Sequence, residues 1–188
     1  MKESPLVAIG VALATMWAIE IIDTVALGDW MQGGGIHPRR ADGVDGILWA
    51  PLLHGGFPHL ISNSVPFAVL GGLVAIRGAR RLATVTVAAM LIGGGLTWVM
   101  GGGGNHIGAS GVVFGYLGAL LGAAAFERRP AAIAPGLVAL LLYSTMLVGF
   151  VPQPGISWEG HLFGFVAGLL VSKSLSEPRT PTPDYDFD

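Results

Sequence analysis

The sequence contains no cysteine and few charged residues. Without cysteine the chain has no thiol nucleophile, no disulfide and no thiolate ligand for a metal. Charged residues make up 12% of its 188 residues, whereas soluble domains carry about 25%. The formal net charge of −2 differs from the strongly basic balance of proteins that bind nucleic acid, so we expect no nucleic-acid partner.

Two motifs for metal and phosphate binding are also missing. The sequence has no His-Glu-x-x-His, and its five histidines show no matching carboxylate spacing. The glycine run 101–104 lacks the lysine and the flanking strand of a phosphate-binding loop. It is better interpreted as a flexible connection that returns the chain towards Ser110. We therefore expect no metal and no other cofactor.

What the sequence has in abundance is apolar residues and glycine. Hydrophobic residues make up 52% of the chain, the mean hydropathy is +0.66, and there are 30 glycines. Glycine is frequent in membrane helices, where small residues let helix backbones approach closely. No small-residue cleavage pattern follows the first apolar stretch, which we interpret as a retained span rather than a signal peptide.

Six segments are long enough to cross the hydrocarbon core, which takes about 20 residues. The sequence therefore predicts an all-α polytopic membrane protein, with a six-transmembrane-helix domain over residues 1–175. A tail over 176–188, rich in Pro, Thr and Asp, is expected to be disordered in the cytoplasm. The six predicted spans are 5–27, 59–76, 82–100, 110–126, 131–150 and 158–175.

Basic residues decide the predicted orientation. If the N-terminus is cytoplasmic, only Arg39 and Arg40 lie outside, in the long connection 28–58. The positive-inside rule favours this arrangement, with both termini in the cytoplasm of a multi-pass protein of the cell membrane. The connection is too apolar for a solvated loop and is expected at the membrane interface. The basic residues that would face the cytoplasm are Lys2, Arg77, Arg80, Arg81, Arg128, Arg129, Lys173 and Arg179.

Polar side chains from three separate spans are predicted to meet near the outer face. His59, Ser110 and His161 lie close to the starts of spans two, four and six, all of which start from the outside. Buried polar groups are costly in a bilayer and therefore indicate function. A serine hydroxyl becomes a nucleophile when an adjacent base takes its proton. Ser110 and His161 are the candidate nucleophile and base.

Glycines after Ser110 support that pairing. On span four the glycines recur at helical spacing and form a stripe along one face of the helix. A second stripe of glycines follows His161 on span six, so the two stripes can pack together. Taken alone, Ser110 is better interpreted as a helix cap and His161 as an interfacial residue; the case for function rests on their predicted convergence. The glycines of the two stripes are Gly111, Gly115, Gly118 and Gly122 on span four, and Gly164 and Gly168 on span six.

His59 and Asn63 are four residues apart and share one helical face. Their N–H groups, with the backbone N–H of Ser110, can stabilise an oxyanion. The alternative is that both satisfy backbone groups of a nearby loop. Glu20, Asp23, His54 and His106 are further polar residues whose roles the sequence leaves open.

The chain resembles the rhomboid family of intramembrane serine proteases in its minimal six-helix form. The segment from His54 to Asn63 looks like that family's second-helix motif. Gly108-Ala109-Ser110-Gly111 with Phe114 resembles its nucleophile motif, and His161 with Gly164 and Gly168 resembles its base-bearing helix.

The resemblance implies a Ser–His dyad without an acidic third member, and an oxyanion hole formed by His59, Asn63 and Ser110. Phe114 would stack on the His161 ring, and Gly108, Gly111, Gly164 and Gly168 would support the site. The implied substrates are single-pass membrane proteins, cut near the outer face of the lipid bilayer.

Two other functions are also compatible with these residues. One is a catalytically silent relative that binds membrane clients. The other is a small transporter using Glu20, Asp23 and the histidines, although transporters usually show repeat symmetry and this sequence shows none.

The distribution of basic residues makes a testable prediction about topology. A reporter fused after Asp188 should lie in the cytoplasm, and one inserted near Asp42 should lie outside, because Lys and Arg concentrate on the cytoplasmic side. Paired fluorescent-protein and alkaline-phosphatase fusions measure this. The reverse pattern would place Ser110 at the cytoplasmic face and contradict the outer site.

Overall fold

The computed structural model describes residues 4–176, and these form an all-helical bundle without a β-strand. The predicted disordered tail, apart from Ser176, lies outside the described residues, as do Lys2 and Arg179. The helices are α1 Pro5–Ile22, α2 Gly46–Trp49, α3 Phe57–Ala75, α4 Ala79–Ala88, α5 Gly94–Met100, α6 Ser110–Glu127, α7 Pro130–Tyr143 and α8 Trp158–Ser174.

Three of these helices continue into turns of different pitch. A π-helical turn, Asp23–Leu27, extends α1, and another, Ala89–Gly93, joins α4 to α5 in one continuous helix. A 3₁₀ segment, Ser144–Phe150, follows α7. These extensions account for the full length of the apolar segments seen in the sequence.

Five helical segments of the described chain are long and apolar enough to cross a membrane. The sixth predicted span is also a helix, but α8 has only 17 residues, with Glu159 in its first turn and Lys173 in its last. Its crossing of the membrane, and the cytoplasmic side of both termini, therefore stay predictions. The five segments are Pro5–Leu27, Phe57–Ala75, Ala79–Met100, Ser110–Glu127 and Pro130–Phe150.

The long connection between α1 and α3 is folded rather than open. It contains short helical turns, and its Ile36 exchanges two backbone hydrogen bonds of 3.0 Å with His106. A further hydrogen bond of 2.9 Å runs from Gly108 N–H to the carbonyl of Ala50. The side chains of Trp30 and Trp49 are 78% and 54% exposed, and their place at a membrane interface stays a prediction.

Helix α6 is the most buried of the long helices, and α8 packs directly along it. The contact depends on glycine. A Cβ atom at Gly164 would overlap the carbonyl oxygen of Gly111, and one at Gly168 would overlap that of Gly115. The two glycine stripes therefore pack backbone against backbone, and the contact repeats at successive turns of the two helices.

An ion-pair cluster lies at the C-terminal end of α6. Glu127, the last residue of α6, accepts hydrogen bonds of 2.5 Å from Arg77 and 2.8 Å from Arg81. All three side chains are largely shielded from solvent. Since Arg77 follows α3 and Arg81 lies in α4, the cluster ties three helices together.

The backbone contact between α6 and α8 generates a prediction about stability. Gly168→Ala should lower the free energy of unfolding by about 1–3 kcal/mol or more, because overpacking forces the helices apart. Gly72→Ala is the matched control, since a Cβ there meets nothing within 4 Å. Thermal unfolding in detergent measures both. Equal midpoints for the two variants would contradict close packing at Gly168.

Candidate active site

A cavity of about 720 Å³ opens where the N-terminal ends of α3, α6 and α8 meet. Polar side chains from all three helices line it, and two loops, 101–109 and 151–157, form its walls. Four of the lining residues are those that the sequence selected: His59, Asn63, Ser110 and His161. Residues more than a hundred positions apart thus face one space.

Ser110 is the first residue of α6. The residue at the N-cap position is Ala109, and no side chain caps this helix, so Ser110 does not serve as the cap that its position alone suggested. Its hydroxyl forms no hydrogen bond with any described residue. Its backbone N–H belongs to the first turn, where amide groups have no partner within the helix.

The ring of His161 is held on two sides. Its Nδ1 lies 2.9 Å from the carbonyl oxygen of Gly149, and its face stacks on Phe114 at a centroid distance of 4.2 Å and an angle of 12°. Because a carbonyl can only accept, Nδ1 carries the proton of the neutral ring. Nε2 is then the basic nitrogen, and it makes no hydrogen bond among residues 4–176.

Ser110 and His161 flank the first contact between α6 and α8. Gly111 directly follows Ser110, Gly160 directly precedes His161, and a Cβ at Gly111 would lie 3.5 Å from the carbonyl oxygen of Gly160. The Ser110 hydroxyl and the His161 imidazole are therefore attached to backbone segments that lie next to each other. Catalytic hydrogen bonds are often long in unliganded sites and shorten when substrate binds.

Gly149 is the site residue that sequence reasoning missed. A Cβ there would lie 2.9 Å from both His161 Nδ1 and Phe114 Cζ, so the ring can approach the Gly149 carbonyl only if the side chain is absent. The contact joins residues twelve positions apart across the turn between α7 and α8. No local motif marks it, which is why the pattern of residues did not reveal it.

His59 and Asn63 lie beside the loop that leads into Ser110. Gly55 N–H donates to His59 Nδ1 at 3.2 Å, so the proton of the neutral ring is on Nε2. The Asn63 amide donates to the His59 carbonyl at 2.9 Å, which leaves one further N–H. A Cβ at Gly108, whose φ is +109°, would lie 2.7 Å from His59 Nε2. Both donors therefore face the backbone just before Ser110.

The two other histidines that the sequence left open, His54 and His106, lie at different positions around the site. His54 is fully buried, its Nε2 accepts from Ala109 N–H at 3.4 Å, and its ring meets that of His59 edge-on. Burial and the neighbouring His59 lower the pKa of His54 to about 4, so this ring is neutral at pH 7 and supports the loop. His106 lines the cavity and bonds to Ser157.

Glu20 and Asp23 lie at the end of α1 and are also buried. Neither lines the cavity. Asp23 accepts a hydrogen bond of 2.8 Å from Met31 N–H, which holds the start of the long connection. Among residues 4–176, no group of His, Asp and Glu side chains has a geometry that could hold a metal ion.

Comparison with known proteins identifies the class. Residues 43–178 match the model of the rhomboid domain, which is well over half of the chain, so the chain belongs to the rhomboid family. With its long apolar helices, it is a multi-pass membrane protein.

Relatives occur in bacteria and in a plant. An uncharacterized protein of Mycobacterium tuberculosis is 39% identical over 177 residues, covering 89% of this chain and 73% of the relative. RHOMBOID-like protein 5 of Arabidopsis thaliana is 30% identical over 151 residues, covering 72% and 48%. A Bacillus subtilis protein named "Putative rhomboid protease YdcA" is 32% identical over 124 residues, covering 64% and 62%.

The contact at Gly149 generates a prediction about the position of His161. Gly149→Ala should push the His161 ring out of place and lower the rate at which Ser110 reacts with a fluorophosphonate. A displacement of about 1 Å in a catalytic group can cost roughly a hundredfold, so we expect a loss of about ten- to a hundredfold. Val148→Ala, at an exposed neighbouring position, is the control. Unchanged reactivity in Gly149→Ala would show that the Gly149 carbonyl does not hold His161 in a position that matters for the reaction of Ser110.

Proposed function

We propose that this protein is an intramembrane serine endopeptidase that cleaves the transmembrane segments of single-pass membrane proteins. The proposal rests on one observation, which is that a single cavity is lined by Ser110, His161, His59 and Asn63. A hydroxyl, a base and two N–H donors are the groups that acyl transfer requires. Membership of the rhomboid family supports the same chemistry.

The proposed reaction starts at the Ser110 hydroxyl. Its Oγ attacks the scissile carbonyl carbon while His161 Nε2 takes its proton, which gives a tetrahedral intermediate. The intermediate collapses, the peptide C–N bond breaks, and His161 returns the proton to the leaving amine. Water then attacks the acyl-enzyme, again with His161 as base, and restores Ser110 as it releases the acid.

The oxyanion of each tetrahedral intermediate requires donors on the opposite side from the base. His59 Nε2–H, the free N–H of Asn63 and the backbone N–H of Ser110 supply them in this proposal. The tautomer of His59 is the one required, since Gly55 N–H occupies Nδ1. Removing one such donor in other enzymes costs about 10²–10³ in turnover.

In the proposed dyad a backbone carbonyl, that of Gly149, contacts the histidine Nδ1, at the position where soluble serine proteases have a carboxylate. The Gly149 carbonyl fixes the tautomer of His161, and the Phe114 ring restrains its rotation. A carbonyl orients the imidazole but carries no full charge to stabilise the imidazolium. We therefore expect a slower enzyme than one with a buried aspartate beside its histidine.

The proposed place of cleavage follows from the position of the site in the bundle. The cavity lies at the N-terminal ends of α3, α6 and α8, which the distribution of basic residues assigns to the outer face of the cell membrane. Water can reach the cavity from that side. A substrate helix would have to unwind there, so that its carbonyl could enter between the two loops.

Two other functions make different predictions. A catalytically silent relative would be expected to lack the serine or the base, whereas this chain has both. A transporter would be expected to place ionisable groups along a path through the bundle, whereas Glu20 and Asp23 do not line the cavity. The protease is the function that uses the groups present.

Replacement of the dyad tests the proposal. Ser110→Ala and His161→Ala should each abolish cleavage, and the double variant should be little worse than either, because members of a dyad act as a unit. Cleavage of a fluorogenic transmembrane peptide in liposomes measures this, with thermal unfolding as a check on folding. Appreciable activity in Ser110→Ala, or additive losses, would contradict the assignment. A wild-type protein that never reacts with a fluorophosphonate would favour the silent relative or the transporter.

A further inference from the structure

A second contact between a serine and a histidine lies at the mouth of the cavity. His106 Nδ1 is 2.6 Å from Ser157 Oγ, and His106 Nε2 is 3.1 Å from the carbonyl oxygen of Gly102. Because the carbonyl only accepts, Nε2 carries the proton of the neutral ring. Nδ1 therefore accepts, and the Ser157 hydroxyl donates.

The histidine of this pair is anchored to the rest of the protein. Its backbone N–H and carbonyl both bond to Ile36, and the preceding Asn105 donates from its amide to the Gln32 carbonyl at 2.6 Å. His106 is thus fixed to the long connection between α1 and α3. Its side chain reaches from that fixed point across to the start of α8.

The serine of the pair lies at the N-cap position of α8, yet its hydroxyl does not cap the helix. Its carbonyl accepts from His161 N–H at 3.0 Å, in the first turn. The Ser157 hydroxyl therefore binds His106 in loop 101–109 rather than the start of its own helix. Removing it leaves the backbone hydrogen bonds of the helix start in place.

A second hydrogen bond joins the same two segments. Gly102 N–H donates to Glu159 Oε1 at 2.9 Å. Loop 101–109 leads into Ser110, and loop 151–157 leads into the helix of His161. Gly103 and Gly104 line one wall of the cavity, and Gly155 and Ile156 line the other. The two loops thus face each other above the site and are held together at one edge.

We propose that the His106–Ser157 hydrogen bond is a latch that holds these loops together, and that a substrate segment reaches Ser110 when the latch opens. Both residues control access and are not themselves catalytic. The hydrogen bond that forms the latch is seen in the structure, whereas the effect of the latch on cleavage rests on the proposed protease function. One hydrogen bond of this kind shifts an equilibrium about two- to tenfold.

The absence of cysteine allows a test that does not depend on cleavage. Met146 lines the cavity, so Met146→Cys introduces a single thiol whose reaction with a water-soluble maleimide reports access. Adding Ser157→Ala should raise that rate about two- to tenfold, and adding Ser157→Thr, which keeps the hydroxyl, should not. Ser62→Ala is the matched control, since Ser62 lines the same cavity but its hydroxyl donates to the His59 carbonyl within its own helix and not to a loop. Equal rates with and without the Ser157 hydroxyl would overturn the latch.

Kinetics of a transmembrane peptide substrate give a second readout. Ser157→Ala should lower KM and raise kcat/KM by a similar factor, with kcat little changed, because only access to the site changes. A fall in kcat with KM unchanged would show that Ser157 positions His161 instead, and would overturn the proposal. If the wild-type protein cleaves nothing, the protease function fails while the thiol measurement still decides the latch.

A fluorophosphonate distinguishes the latch from a second nucleophile. Ser110→Ala should not be labelled, because Ser157 donates its hydroxyl to hold a loop and is not proposed to attack substrate. Labelling that persists in Ser110→Ala and disappears in Ser110→Ala/Ser157→Ala would identify Ser157 as a nucleophile and overturn its assignment as a latch residue.

Discussion

The backbone contact between α6 and α8 is the interaction on which the rest of the structure depends. Each helix carries glycine where the other presents carbonyl oxygens, so the two axes approach more closely than side chains would allow. In a bilayer no hydrophobic effect draws helices together, and close packing must supply the attraction. Ser110 and His161 stand at the first turns of this contact, so the packing that stabilises the bundle also brings these two candidate residues close together.

Backbone groups select the protonation of both site histidines. The Gly149 carbonyl accepts from His161 Nδ1–H, and Gly55 N–H donates to His59 Nδ1. One histidine is thereby left with a basic nitrogen and the other with an N–H donor, which are the two different roles proposed for them. A buried carboxylate would have to be desolvated within the bundle at a cost of several kcal/mol. Neutral peptide groups orient the rings without that cost.

The loops add a layer of control to this rigid base. Helix packing determines where the proposed nucleophile and base lie, whereas in the proposed latch a single hydrogen bond between loops decides whether the cavity is closed. The proposed latch joins the segment before Ser110 to the segment before His161, so it acts directly where substrate would enter. Contacts of this strength open readily, which suits an entrance, whereas a glycine-packed helix pair does not.

The sequence by itself determined the helical class, the approximate spans and the choice of candidate residues. Apolar length marks a membrane helix without reference to its neighbours, and the motifs around His59, Ser110 and His161 are local. Only the tertiary structure assigned the Gly149 carbonyl to His161 and joined His106 to Ser157, because both contacts link segments that have no common periodicity. It also gave α8 a length of 17 residues, from Trp158 to Ser174, one residue shorter than the predicted span 158–175. Spacing along a helix can be read from the sequence, but the approach of one loop to another depends on how the whole bundle packs.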